Sequence, residues 1–333
     1  MQHLGIKFKK EGITALLGSS YVKDYNPFDE YFRNLPAWDG IDHFSIMFGY
    51  IEMEDKIYFT KMLEKQFVRA IKCALEDEFY NRFVYVFRSR EQEIGKSRLI
   101  QYFNPLDQKY FSDEALSADK DSLIAMTETF LYSLEELDDV NKLAGGISKL
   151  KASIAKRSVN VRLPYGRQKT LLYRRCTFFG SANRSEFLSD DTNTRWLIAT
   201  IKSINWDLFK LVNIHDLWAQ AFHLYRDTKY NWDLTADEKI RREQINLRYK
   251  QSLMEQEIIA MNFQVPADAN YTMTINEIAI KMVKYSPNTA RLNLDLSYLH
   301  DLLTSMGFEE GSDVVFNTYV KKFHIEEKSR MWQ

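Results

Sequence analysis

Phe83-Val84-Tyr85-Val86-Phe87 is a continuous run of β-branched and aromatic residues, the composition of a strand buried on both faces. Arg90-Glu-Gln-Glu-Ile-Gly95-Lys96-Ser97 follows it closely, and then the helix-compatible Arg98-Leu-Ile-Gln-Tyr102. Strand, loop, Gly-Lys-Ser and helix, in that order, is the context a P-loop requires. In such a loop backbone N–H groups and the helix N-terminus hold phosphates, Lys96 reaches the outer phosphates, and the Ser97 hydroxyl ligates Mg²⁺. Gly95 allows the close approach of backbone to ligand. The motif is incomplete, because Arg90 stands at the first glycine position of G-x-x-x-x-G-K-[ST]. Glu91 and Glu93 also add two negative charges to a loop meant to bind anions. Two other readings compete: an ordinary helix N-terminus, and a loop that keeps the fold and has lost turnover.

Outward from this stretch, three further runs read as strands: Thr129 to Leu134, Cys176 to Gly180, and Trp196 to Ile201. Helical or polar segments separate them, which implies a parallel sheet covered by helices and an α/β core. Before the first strand, Ile57, Phe59, Met62, Leu63, Phe67, Ala70, Ile71 and Ala74 recur at helical spacing between Asp55 and Glu78. Asn26-Pro27 and Asp39-Gly40 are turn formers in a stretch that otherwise mixes short polar turns with aromatics.

The second strand run ends in Leu134-Glu135-Glu136-Leu137-Asp138-Asp139, carboxylates at the end of a buried strand, where open α/β sheets bind ligands. A Walker B motif belongs there, with Glu135 orienting the Mg²⁺ shell and Glu136 positioning and deprotonating an attacking water. The bland alternative is a solvated turn entering a helix. From Val140 through Ser185 there is no Asp or Glu, while Lys and Arg recur throughout. Within this segment Val159 to Tyr173 reads as a hairpin around Pro164-Tyr165-Gly166, with a basic tip of Arg162, Arg167 and Lys169. Such a tip, with Tyr165 for stacking, suits a backbone-tracking contact to single-stranded nucleic acid; a solvated basic face or a protein contact is the competing reading.

Composition bounds the rest. The 333 residues are 45% hydrophobic and 14% aromatic, which excludes disorder and a fibrous class. Lys and Arg total 45 against 46 Asp and Glu, so any polyanion site is local. Cys73 and Cys176 are the only cysteines, and the six histidines form no one-turn pair, so neither a disulfide framework nor a protein-built zinc site is expected. With no signal core and no apolar run of the roughly 18 residues that span a bilayer, the chain reads as a soluble cytoplasmic protein without a membrane partner.

Four regions are expected: an N-terminal helical region (1–80), an α/β core (81–204) carrying the basic hairpin (159–175), a charged helical segment (205–265) and a small C-terminal domain (270–333). In the last of these, Thr274 and Glu277 stand at capping-box spacing at the start of one helix. A second helix runs from Leu294 to Gly307, and two strands follow, a winged-helix pattern. Its second helix carries few basic residues, so DNA and protein partners both remain open.

Taken together, the residues resemble the virulence-associated protein E family of P-loop ATPases, found in phages and mobile elements and related to superfamily 3 and AAA+ helicases. The resemblance runs from about Asn26 to Ile201 through Asn26-Pro27-Phe28, Trp38-Asp39-Gly40, Gln92-x-Ile94-Gly95-Lys96-Ser97 and Leu134-Glu135-Glu136-Leu137. It continues through Arg162-x-x-Tyr165-Gly166-Arg167, Phe179 to Leu188 with Asn183, and Asp191 to Trp196. It implies an AAA+-like core binding ATP and Mg²⁺, with Gln92, Gly95, Lys96 and Ser97 at the nucleotide. Asn183 is then sensor 1 and Arg195 an arginine finger offered to a neighbouring subunit, although Arg174 and Arg175 remain open for that role. The hairpin corresponds to the element lining the central pore of related helicases. The chain departs from the family at Arg90 and Glu93, usually Gly; at Glu135, often Asp; and at Thr192-Asn193, usually Thr-Gly.

The function expected on these grounds is an oligomeric, ring-forming ATP-dependent DNA helicase or translocase of mobile-element replication. The alternative is a catalytically degenerate P-loop protein acting as a DNA- or protein-binding adaptor. Many relatives carry a primase domain ahead of this region, and the 25 residues before Asn26 leave no room for one, so priming is expected from a separate primase.

Overall fold

Asn26 is a helix cap as well as half of a turn dipeptide. Its side-chain oxygen accepts from the backbone N–H of Phe28 (3.0 Å) and of Asp29 (3.4 Å), and Pro27 occupies the first helical position, where a missing N–H costs nothing. Helix α1 (Pro27–Asn34) follows, and α2 (His43–Gly49) starts on Asp42, whose carboxylate accepts from the N–H of Ser45. Among the described residues before Tyr50, both turn formers thus double as an N-cap or lead into one. The structure, a computed structural model, describes residues 12–13, 16, 21, 25–117, 119–137, 146–162, 169–183, 194–247, 249, 254–266, 273–286, 292, 296–315 and 318–328.

The chain divides into two compact units, Met1–Lys250 and Gln251–Gln333. In the first, β1 (Ile51–Met53) leads into the long α3 (Lys56–Leu75), then β2 (Val84–Arg88), α4 (Lys96–Tyr102) and β3 (Phe111–Ser112). α5 (Lys120–Glu128), β4 (Leu131–Leu134), α6 (Gly146–Ile154), the hairpin β5 (Ser158–Val161) and β6 (Thr170–Tyr173), β7 (Thr177–Ala182) and β8 (Trp196–Ile204) complete the α/β part. After it come α7 (Trp206–Phe209), α8 (Ile214–Arg226) and α9 (Ala236–Leu247).

The central sheet has the order β1-β8-β2-β7-β4-β3. β1 is an antiparallel edge strand, and every other pairing in the sheet is parallel. β2 and β7 are buried at every position, which is why their sequences run apolar without alternation. α3 is buried nearly all round. Phe67 stacks on Trp218 of α8 with ring centroids 4.1 Å apart. Its buried polar residues find partners inside, except that Arg69 Nε has none: Lys65 pairs with Glu238 (2.7 Å), Gln66 donates to the carbonyl of Phe178 (3.1 Å), and Arg69 donates through another nitrogen to that of Trp232 (2.8 Å). Burial pushes the Arg69 guanidinium down to about 10.

Gly180 sits mid-strand in β7 opposite Val86 and Leu134. A Cβ there would lie 2.7 Å from Cδ1 of Leu137 and 3.3 Å from the carbonyl oxygen of Leu134. Gly180→Val is therefore expected to lower stability by about 2 kcal/mol through overpacking, read as a reduced urea midpoint at unchanged slope. A midpoint equal to wild type would show that Leu137 yields freely.

The second unit contains α10 (Met254–Asn262), β9 (Phe263–Gln264), α11 (Ile275–Tyr285), α12 (Leu296–Ser305), the hairpin β10 (Glu310–Val315) and β11 (Thr318–Phe323), and β12 (Glu326–Glu327). Helix, helix and hairpin come in the expected order. The Thr274–Glu277 capping box is formed in both directions. A separate core of Ile259, Ile278, Met282, Leu299, Leu303, Phe323 and neighbours holds this unit together.

Candidate functional site

Parallel strands in register end together. Arg88 of β2 pairs with Ala182 of β7, and Leu134 of β4 pairs with Gly180, so whatever follows these strands is brought to one edge. The segments that follow are 89–97, Glu135-Glu136 and Asn183. They line one cleft of about 320 Å³, which includes Gln92, Gly95, Lys96, Ser97, Glu135, Glu136 and Asn183. Seven residues expected at a nucleotide are therefore brought together.

Gly95 caps α4 with φ +92°, a left-handed conformation that favours glycine. Lys96, the first helical residue, is buried, and its Nζ donates to Oδ1 of Asn183 (2.7 Å) and to the carbonyl of Glu91 (3.3 Å). The Ser97 hydroxyl donates to Oε2 of Glu135 (2.5 Å), and Ser181 donates to the same oxygen (2.7 Å). Ser133 donates to Oε1. Glu135 is thus held by three hydroxyls. Glu136 adopts φ +50° and its N–H donates to Ser181 Oγ at 3.3 Å, so the chain turns sharply after the strand with this carboxylate in the cleft wall. Glu93 is left-handed as well, at φ +61°. Such non-glycine conformations each cost about 1–3 kcal/mol and gather where function holds them.

Sequence reading missed Ser133 and Ser181. The signal was there, since each is a small polar residue in a largely apolar strand, two residues before a site residue and hence on its face. It also missed Arg98, which lines the cleft, and Trp206 behind it.

Arg195 is not in this cleft. It immediately precedes β8, its carbonyl accepts from the N–H of Val84 (2.9 Å), and the strand runs about 16 Å from there to the carboxyl edge. Arg174 is fully buried, donating to the carbonyls of Ile154 and Asn81, and Arg175 pairs with Asp77 (2.5 Å). Both serve the base of the hairpin. β5 and β6 pair from Ser158↔Tyr173 to Val161↔Thr170, which agrees with the expected arms. Arg162 and Lys169 are exposed just beyond the paired arms, whereas Tyr165 and Arg167 lie outside the described residues.

The donors present suit Mg²⁺. Ser97 and Glu135 offer hard oxygens side by side, and Mg²⁺ needs only one or two protein ligands beside phosphate and water. Among the described residues no group of three or more His, Cys, Asp or Glu could cage a metal. Cys73 and Cys176 are buried free thiols, and burial pushes Cys176 up to about 12, so they are packing residues. No described helix is long and apolar enough to cross a membrane.

A mixed α/β protein with a largely parallel central sheet and a polar cleft at its carboxyl edge is the class that this fold and site define. The chain belongs to the virulence-associated protein E-like domain family, whose model matches residues 32–251. It is similar in fold to the apo C-terminal region (305–718) of NrS-1, with 10% identity, 91% of this chain and 79% of that one covered, and a TM-score of 0.50. The A form of the same region gives 9% identity, 89% and 78% coverage, and a TM-score of 0.51. An inhibitor-bound JCV helicase shares 12% identity over 74% of this chain and 67% of that one at a TM-score of 0.30, too low to carry an argument. Among curated protein sequences none matches.

Proposed function

We propose that the chain is a Mg²⁺-dependent, P-loop ATPase of the AAA+ kind that works as a homo-oligomer on single-stranded DNA in mobile-element replication. The observation that carries this reading is the convergence of Lys96, Ser97, Glu135, Glu136 and Asn183 on one cleft. The insertion of β7 between β2 and β4 supports it, because it puts the cleft at the carboxyl ends of strands where the order switches.

In this reading loop N–H groups and Lys96 hold the β- and γ-phosphates, and Ser97 with Glu135 holds Mg²⁺. When bound, Mg²⁺ supplies neutralisation of the charge that builds on the phosphate oxygens. Glu136 takes a proton from the water that attacks the γ-phosphorus. The bond to the β,γ-bridging oxygen breaks, and its electron pair leaves with ADP. Asn183 orients the water or the γ-phosphate. Lys96 bonds Asn183 and Ser97 bonds Glu135, so nucleotide entry would exchange internal hydrogen bonds for phosphate and metal contacts. Arg195, at the opposite sheet edge, is assigned to a neighbour's cleft, since Arg174 and Arg175 are committed within their own chain. The second unit is read as a winged-helix module.

The test is steady-state ATP hydrolysis with and without single-stranded DNA at several protein concentrations. Turnover that rises steeply with concentration and is stimulated by DNA supports the motor; none above a Lys96→Ala background rejects it. For the hairpin, Arg162→Ala with Lys169→Ala is expected to weaken oligo-dT binding and flatten the slope of log K against log salt by about 1.4, since each phosphate neutralised on a single strand contributes about 0.7. An unchanged slope would remove the hairpin from the DNA site.

Arg90 and the left-handed Glu93 favour a second reading, an adaptor that binds nucleotide or DNA without turnover. Glu93 lines the cleft. Replacing both residues by glycine relieves the left-handed backbone at position 93 and takes the Glu93 carboxylate out of the cleft wall, and is expected to tighten ATP binding about fivefold, the scale of about 1 kcal/mol. A silent wild type whose double variant hydrolyses ATP identifies the adaptor.

A further inference from the structure

Trp206 stands two residues after β8, half-buried, with its indole laid directly on the loop that precedes α4. A Cβ on Gly95 would meet Cζ2 of Trp206 at 2.5 Å and Cε2 at 2.9 Å. The indole Nε1–H donates to the carbonyl of Ile94 at 3.1 Å. On the helix side, the Arg98 guanidinium sits 4.4 Å from the ring centroid, and Arg98 itself lines the cleft. One side chain therefore touches the residue before the glycine, the glycine, and the first turn of the helix carrying Lys96 and Ser97.

Trp206 is itself held. Its ring packs edge-on against Phe209 (5.2 Å between centroids), Phe209 packs against Tyr102 at the far end of α4 (5.1 Å), and the Tyr102 hydroxyl donates to the carbonyl of Val212. The N–H of Asn205 donates to the carbonyl of Tyr50 (2.9 Å), which ties the start of this segment to the β1 edge. Segment 205–212 thus braces both ends of α4.

This bracing answers a difficulty in the loop. Arg90 replaces the first glycine, and Glu93, which carries a Cβ, has positive φ, so the loop holds strain next to Gly95 that a neighbour must offset. We propose that Trp206 is a positioning residue of the phosphate loop: it pins Ile94-Gly95 in the left-handed turn that sets Lys96 and Ser97 in the cleft wall. The proposal rests on the nucleotide reading of that cleft. A core tryptophan would affect stability alone; this one acts on the order of the loop and on affinity for phosphate.

The experiment uses the full chain as wild type, Trp206→Phe and Trp206→Ala. Hydrogen exchange of the peptide covering 89–97 is followed without nucleotide, and binding of a non-hydrolysable ATP analogue with Mg²⁺ is measured by calorimetry. Trp206→Phe keeps a ring but loses the donor to Ile94, so loop exchange is expected to quicken and affinity to fall, each roughly three- to tenfold. Its melting temperature should stay within a few degrees of wild type, and its KM should rise with little change in kcat. Trp206→Ala should exceed tenfold in both readouts; if it fails to fold, Trp206→Phe decides. Wild-type exchange and affinity in Trp206→Phe overturn the proposal and leave the nucleotide site standing. A wild type that binds no analogue overturns the nucleotide reading instead. The clamp is then judged on exchange alone, faster exchange supporting it and equal exchange overturning it.

Discussion

Lys96→Ala is expected to lower ATP turnover at least about 100-fold, the scale on which removing one preorganised electrostatic partner of a transition state acts. Lys96 is 7% exposed, and its Nζ lies between Asn183 Oδ1 and the carbonyl of Glu91, so internal partners hold the charge at the cleft. Alanine leaves the loop backbone and Gly95 unaltered. Binding should therefore weaken while the fold survives, with at most about 1 kcal/mol lost from packing of the lysine stem. Arginine should not rescue, because its planar fork replaces a compact ammonium in a buried position. Phosphate release within threefold of wild type would sink the assignment of this cleft.

Glu136→Gln carries the second large effect: turnover reduced by about 10²- to 10⁴-fold, the usual contribution of a general base, with ATP affinity within about threefold of wild type. The two adjacent carboxylates are separated by their surroundings. Glu135 already accepts from Ser97, Ser133 and Ser181, which fixes its orientation and, in the proposed reading, leaves it to the metal. That leaves Glu136 as the proposed proton acceptor, held in the cleft wall by its left-handed backbone and the N–H bond to Ser181. Gln is isosteric and keeps that backbone, so the loss falls on chemistry. Loss of binding in parallel with turnover would instead make Glu136 a structural residue of the cleft.

Much of the fold could be read along the chain, because its signals are local. The apolar runs at Phe83–Phe87 and Cys176–Gly180 lie on strands now seen as Val84–Arg88 and Thr177–Ala182. The capping box at Thr274 needs only two residues three apart, and it forms. Short elements left no such trace. β1 and β3 have three and two residues, too few for any period to show, and they are strands only because a neighbour supplies the ladder. Lys65 and Arg69 look like the solvated face of an amphipathic helix, yet both are buried. Their long-range partners lie beyond residue 230, and no local pattern records that distance.

Residue type and near-neighbour spacing were enough to establish which chemistry is available: a Gly-Lys-Ser loop between a strand and a helix, two carboxylates at a strand end, an asparagine at another, and a basic hairpin without acids around it. Which of these meet was a matter for the folded chain. Parallel register set Arg88 beside Ala182 and Leu134 beside Gly180, which gathered Lys96, Glu135 and Asn183 at one edge and left Arg195 at the other. It also put Ser133 and Ser181 on Glu135 and laid Trp206 over Gly95. Such contacts join residues far apart in the chain, and they depend on the order and register of strands, to which no single stretch of sequence is sensitive.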